Sequence, residues 1–310
     1  MLLHGRIPCR HGRHFAPQNK EENPLLLHGQ SHFAPQNKED FMFDKMIGFI
    51  GAGNMGSAII GGILDSSLAT TSQIIASAHS TATLEKIRNK FAIETTPDNT
   101  KVAEQSDILF LAVKPDKFDE VIPQIRNHVK SDCVIVSIAA GKTIRAIEDA
   151  FDRPIKLVRA MPNTPALVGE AMSALCKNET ITDAELADVI SIFNSFGKCE
   201  VVAEKLMDAV IGVSGSSPAY VYLFIEAMAD AAVADGMPRA QAYKFAAQSV
   251  LGSAKMVLET GKHPGELKDA VCSPGGTTIE AVASLEENGL RSTVIAAQRA
   301  CVQKSKDMSK

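Results

Sequence analysis

The glycines at 51, 53 and 56 are spaced to hold a phosphate. Ile47, Phe49 and Ile50 form an apolar run that breaks at Gly51-Ala52-Gly53-Asn54-Met55-Gly56, and Ser57, Ala58, Ile59 and Ile60 then resume at helical spacing. A strand, a glycine turn and a helix start form the setting in which G-x-G-x-x-G does chemistry. Gly51 permits the tight turn, Gly53 lets the backbone approach a pyrophosphate, and Gly56 lets helix and strand pack closely. The pyrophosphate would sit on unpaired amides at the helix N-terminus, where the dipole favours negative charge. The alternative is a merely structural turn, and the flanking strand and helix favour the dinucleotide site.

The next strand ends in Ser77-Ala78-His79-Ser80, with no carboxylate to take a ribose 2′-hydroxyl. That absence removes a group that would repel a 2′-phosphate, and hydroxyls can donate to one, so NADPH is favoured over NADH. His79 is placed to contact the phosphate or the adenine, or is an ordinary loop histidine. Three further segments stand where ligands bind, beyond the carboxyl ends of strands: Ala112-Val113-Lys114-Pro115, Ser137-Ile138-Ala139-Ala140-Gly141, and Arg159-Ala160-Met161-Pro162-Asn163-Thr164-Pro165. Each alone reads as a stiff loop. Three in succession behind a glycine turn read as the walls of a nicotinamide pocket.

Two motifs lie in the last third. Val213 to Tyr220 opens a helix with Pro218 near its first turn, a pattern that a good N-cap largely explains. Ser273-Pro274-Gly275-Gly276-Thr277-Thr278 places two glycines before two threonines at a helix start, an amide-rich nest suited to a carboxylate. Capping would need only one of those hydroxyls. Of the eight histidines, only His79, His128 and His263 lie beyond residue 45. Reduction of a hydroxyacid's carbonyl partner usually needs a histidine or lysine to move the alcohol proton. A protonated imine needs only a hydride, a grip on its carboxylate and a way to protonate nitrogen.

The elements that position these residues read as α/β. From Met46 to about Val202, short apolar runs alternate with helical patterns, which predicts a parallel sheet with helices on both faces. Beyond Glu204 the strand signal disappears, and Ala/Met/Leu-rich helices broken at Gly236, at 261–265 and at 273–276 predict an all-helical second domain. Its long apolar faces, from Val221, Phe224, Ile225 and Met228 onward, suit a partner subunit or a buried central helix. Residues 1–45 stand apart: His14 to Glu21 returns verbatim as His32 to Glu39, with no helical or strand period and no signal-peptide core. They read as a disordered extension, the alternative being a histidine-rich metal tract. This divides the chain into 1–45, a dinucleotide-binding domain over 46–205 and a helical domain over 206–310. A net charge of −4 gives no footprint for nucleic acid or anionic membrane, and no apolar run reaches bilayer length. Six cysteines without a C-x-x-C pair argue against a metal site and for a reducing cytoplasm.

F-I-G-A-G-N-M-G, L-A-V-K-P, S-I-A-A-G, M-P-N-T-P, S-G-S-S-P-A-Y and S-P-G-G-T-T occur in that order from Phe49 to Thr278. With these motifs the chain from Met46 onward resembles the pyrroline-5-carboxylate reductases. The resemblance implies reduction of (S)-1-pyrroline-5-carboxylate to L-proline by NAD(P)H in the last step of proline biosynthesis. It also implies a Rossmann domain followed by a helical dimerisation domain, with dimers building a decamer. On that resemblance Ile50, Gly51, Ala52, Gly53, Asn54 and Met55 hold the pyrophosphate, and Ser77 lies near the 2′-phosphate. Asn99, Ala112, Val113, Lys114, Pro115 and Ala140 line the cofactor further along. Glu204, Ser273, Gly275, Gly276, Thr277 and Thr278 contact substrate, with Thr278 on the ring nitrogen. Lys114 is either a general acid or a charge resting against phosphate or ribose. The chain departs from the family at Ser217, where glycine is usual, and at Ala270, where some members carry a polar cofactor contact.

Two other readings fit the architecture. One is another NAD(P)-dependent reductase of the same architecture, a cyclic-imine reductase with a different ring or a β-hydroxyacid dehydrogenase. The latter would carry a catalytic lysine on a second-domain helix with asparagine one turn later, and Lys244, Lys255, Lys262 and Lys268 have none. A cofactor-sensing protein without turnover would not need a carboxylate nest.

Overall fold

The computed structural model describes residues 43–308. An eight-stranded sheet runs in the order β3-β2-β1-β4-β5-β6-β7-β8. Its strands are β1 (Ile47–Ile50), β2 (Ile74–Ser77), β3 (Glu94–Thr96), β4 (Ile108–Leu111), β5 (Val134–Ser137), β6 (Lys156–Met161), β7 (Ala171–Lys177) and β8 (Gly197–Val201). The first six are mutually parallel in the 3-2-1-4-5-6 order of dinucleotide-binding sheets. β7 runs antiparallel to β6, so the expected all-parallel sheet is mixed at this edge. The physical reason is the connection. β6 returns through a short turn over Thr164–Val168 rather than a crossover helix, and a parallel strand needs a crossover.

α1 (Asn54–Asp65), α2 (Thr81–Phe91), α3 (Asn99–Gln105), α4 (Phe118–Ile125), α5 (Ile144–Phe151) and α6 (Asp183–Asn194) cover the two faces of the sheet. Alternate side chains of each central strand feed opposite cores, as pleating dictates. Phe49 and Phe110 stack at 4.8 Å on the face covered by α1 and α6, while Ile50 and Leu111 turn to the face covered by α3, α4 and α5. Gly62 of α1 must be glycine, because a Cβ there would stand 2.3 Å from that of Phe196. This close approach seats α1, and with it the glycine turn. Phe43 is also buried in the α1-side core, and its carbonyl accepts from Gln73, so the packed part begins ahead of Met46. The repeated segment and its histidines lie outside the described residues.

After β8 the described chain is helical: α7 (Met207–Val210), a π-helical turn over Ile211–Gly215, then α8 (Ser217–Ala234), α9 (Arg239–Thr260), α10 (Pro264–Val271), α11 (Thr277–Glu287) and α12 (Leu290–Met308). α8 buries only Ala229, and α9 only Ala242 and Ala246. Tyr222, Leu223, Phe245 and Leu258 are exposed, Leu258 to 84%. Within one chain these helices have no core of their own. Among the described residues no helix is long and apolar enough to cross a membrane, and no His/Cys/Asp/Glu cluster suits a metal ion.

Candidate functional site

Gly51 ends β1 at φ +96°, and a Cβ on it would stand 2.8 Å from the Ala112 carbonyl oxygen. Glycine is required there twice, by backbone conformation and by the close approach of the β4 end. Gly53 is the N-cap of α1 and offers no side-chain cap, and no acidic residue occupies the first turn. The first amides of α1 are therefore free for an anion. A Cβ built on Gly53 meets no atom within 4 Å, so the protein leaves this side of the turn open. Gly56 faces inward, where a Cβ would stand 2.6 Å from the Gly51 carbonyl oxygen. The turn thus fits a bound pyrophosphate at one glycine and its own packing at the other two.

Beside the turn is a cleft of about 240 Å³ lined by Gly51, Ser77, Ala78, His79, Pro97, Asn99, Val113, Lys117, Glu120, Val121 and Gln124. It sits at the sheet's topological switch between β1 and β4, where open α/β sheets bind ligands. Ser77 is 1% exposed and its hydroxyl donates to Asn99 Oδ1 at 2.7 Å, while Asn99 Nδ2 donates to Gln124 Oε1 at 2.9 Å. The hydroxyl expected to face a 2′-phosphate is therefore spent on holding Asn99. His79, exposed at the cleft edge, and Ser80, whose hydroxyl caps α2, stand nearer the solvent side. Lys114 is exposed and makes no ion pair among the described residues, whereas Lys117 on the cleft pairs with Glu120 at 3.0 Å.

Ala140 lies at the far end, where the β5 loop meets the helical half. With Gly141, Ile211, Ser216, Cys301, Lys304, Ser305 and Met308 it lines a second pocket of about 200 Å³. Two polar bridges hold this junction. Glu204 Oε1 accepts from Arg159 Nη1 at 2.9 Å and from the Ile144 amide at 2.7 Å. Asn163 donates to the Ser214 carbonyl at 3.0 Å and accepts from the Met172 amide at 3.0 Å. The sequence placed Arg159 and Asn163 only within a strand-end segment of the pocket wall and gave neither an individual role. The available signal was a buried-strand arginine in Leu157-Val158-Arg159-Ala160-Met161. Asn163→Ala strands a carbonyl and an amide at this joint, and should cost about 1–3 kcal/mol in a chemical-denaturation experiment.

The 273–278 loop is built as a nest. Gly275 has φ +65°, the Gly276 amide donates to the Ser273 carbonyl at 3.1 Å, and α11 starts with no side-chain cap. The threonine hydroxyls are not used for capping, which leaves them and the first α11 amides free. Ser216 likewise gives no side-chain cap to α8. Its hydroxyl accepts from Cys301 Sγ at 3.1 Å, because the chain arrives already helical from the π turn, so the expected N-cap does not form. None of residues 273–278 lines the Gly51 cleft or the Ala140 pocket of the same chain. The glycine turn and the 273–278 loop share neither of these cavities within one copy.

Residues 204–308 match the family model for pyrroline-5-carboxylate reductase dimerisation, and residues 46–141 that for coenzyme F420-dependent NADP oxidoreductase. The chain is 53% identical to the pyrroline-5-carboxylate reductase of Escherichia coli, over 86% of this chain and 99% of that one. It belongs to the pyrroline-5-carboxylate reductase family. The pyrroline-5-carboxylate reductase of Methanosarcina acetivorans is 44% identical over 87% of this chain and all of that one. A Plasmodium falciparum pyrroline carboxylate reductase solved with NADP bound superposes with a TM-score of 0.79 at 35% identity, covering 87% of this chain and 100% of that one. As a pyrroline-5-carboxylate reductase the chain combines an NADP-type sheet with a helical half whose apolar faces match a dimerisation domain.

Proposed function

We infer that the chain reduces (S)-1-pyrroline-5-carboxylate to L-proline with NADPH, the last step of proline biosynthesis. The observation that carries this is full-length similarity to reductases of that name, and the open amide end of α1 agrees with it. When bound, the cofactor supplies the hydride that reduces the C=N bond. The chain's own residues bind and orient. Ile50 to Met55 present backbone amides to the pyrophosphate, Asn99 is fixed by Ser77 on the cleft wall, and Ala112 to Pro115 with Ala140 border the nicotinamide end. The 273–278 amides hold the substrate carboxylate, and Thr278 holds its ring nitrogen. The substrate is cyclic and partly protonated, so placement supplies most of the rate and no strong base is needed. Lys114, exposed and without an ion pair among the described residues, rests against phosphate or ribose.

NADPH oxidation followed near 340 nm (the reduced-nicotinamide band, roughly) tests the reaction. Fast oxidation with matching L-proline formation is expected, at the same kcat for the full chain and for one starting at residue 42. The repeat in the tail, and a family match that begins at Met46, support its being dispensable. Tight NADPH binding without oxidation would overturn the substrate assignment.

The working unit is a homodimer through the helical half, with dimers assembling into a decamer in the cytoplasm. The exposed faces of α8 and α9 support the dimer, and the absence of residues 273–278 from the lining of the cleft and of the Ala140 pocket supports sites completed by the second copy. Mixing Gly53→Val with Thr278→Ala subunits tests this. If each site draws on two chains, mixed dimers rebuild one intact site and recover about a quarter of wild-type activity. Sites within one chain would recover none.

A further inference from the structure

We propose that Arg159 is a positioning residue that holds the Glu204 carboxylate with one oxygen turned to the substrate's cationic ring nitrogen. The inference rests on the assignment of Glu204 to the substrate site and adds how that carboxylate is aimed. Arg159 is 3% exposed in the middle of an apolar stretch of β6. Its strand neighbours are Ser137 on β5 and Cys176 on β7, neither of which carries a countercharge. Glu204 is its only ion-pair partner among the described residues, and Arg159 Nε is buried with no hydrogen-bond partner there.

A buried guanidinium satisfied this incompletely is a poor source of stability, since an apolar side chain of similar volume often does as well or better. Its geometry has a different product. Both bonds to Glu204, from Arg159 Nη1 and from the Ile144 amide, converge on Oε1. The carboxylate cannot turn without breaking two charge-assisted bonds, and Oε2 has no hydrogen-bond partner among the described residues. The Glu204 side chain is 34% exposed, so the unspent oxygen can reach a ligand.

The location is right for that use. Ile144 opens α5 just after the loop that carries Ala140, and Ala140, Ile144, Met161 and Cys176 pack in one small apolar cluster. Glu204 is therefore anchored at the carboxyl ends of β5 and β6, beside the loop assigned to the nicotinamide end. A carboxylate fixed there attracts the protonated imine of the substrate and the ammonium of the product. A ring acid without nitrogen gains nothing from it.

The test uses Arg159→Met, Arg159→Lys, Glu204→Gln and the Arg159→Met/Glu204→Gln double variant in the full chain. Arg159→Met should raise KM for pyrroline-5-carboxylate about tenfold or more, with kcat less affected and the NADPH Kd within about twofold of wild type. Arg159→Lys should recover most of the KM, because it restores a cation but not the planar fork. The double variant should match Glu204→Gln alone, since Arg159 acts through that carboxylate. In calorimetry, L-proline should weaken in step with KM while cyclopentanecarboxylate, which lacks the nitrogen, is unchanged. A wild-type KM in Arg159→Met, additive losses in the double variant, or equal weakening of both ring acids would each overturn the proposal. Failure of the functional reading looks different: wild-type protein that binds NADPH but neither turns over the imine nor binds L-proline.

Discussion

Gly53→Val should abolish useful NADPH binding, raising Kd at least about a hundredfold, in a protein that melts like wild type. The two halves of that result come from different observations. Gly53 has φ −73°, a conformation open to any residue, and an added Cβ meets no protein atom within 4 Å. The fold therefore loses little. The side chain would instead occupy the space over the free α1 amides, where the backbone must come within hydrogen-bond reach of phosphate oxygens. Gly56→Ala should behave in the opposite way. Its Cβ would stand 2.6 Å from the Gly51 carbonyl oxygen, so the helix must shift, at a cost of about 1–3 kcal/mol in stability. Fluorescence titration with NADPH and a thermal melt on both variants separate the cases. Wild-type NADPH affinity in Gly53→Val would remove the phosphate from this turn.

Thr278→Ala should lower kcat about a hundredfold, the scale of losing one well-placed hydrogen bond to the reacting group, with NADPH affinity within a factor of two. The hydroxyl makes no hydrogen bond to the protein among the described residues, and α11 begins without a side-chain cap, so no stability is at stake. Thr278→Ser should retain most of the rate. Steady-state kinetics beside a cofactor titration decides the matter: equal damage to turnover and to NADPH binding would mean that the loop shapes the cofactor site instead.

Legibility followed the pattern of burial. β1, β2, β4 and β5 are four-residue apolar runs buried on both faces, and their periods are plain in the sequence. β3 is Glu94-Thr95-Thr96, and β8 is Gly197-Lys198-Cys199-Glu200-Val201, exposed along much of its length. Edge strands of this kind carry no apolar period, and they form because a neighbouring strand offers them a ladder. The reversed direction of β7 is a property of the turn before it and leaves no mark in β7 itself. The glycine turn was readable because local geometry dictates it. The hydrogen bond from Ser77 to Asn99 was not readable, because the two residues lie 22 positions apart and meet only when α3 follows β3 beside β2. Arg159 and Glu204 are 45 residues apart and meet only once β6 and the start of the helical half are in place. Fold follows from nearby residues, and the junction from distant ones.

If a second copy covers the outward apolar faces of α8 and α9, those faces also set the order of events at the ribosome. The sheet half is complete in sequence before the helical half has emerged, and it carries its own two cores. The later helices bury little within their own chain, and in the proposed dimer Leu223, Phe245 and Leu258 stay uncovered until a second copy arrives. With that dimer, maturation would be a first-order folding step followed by one whose speed depends on how many half-finished chains are present. At low synthesis rates that interval lengthens, and chaperones would find their hold on the helical half rather than on the sheet.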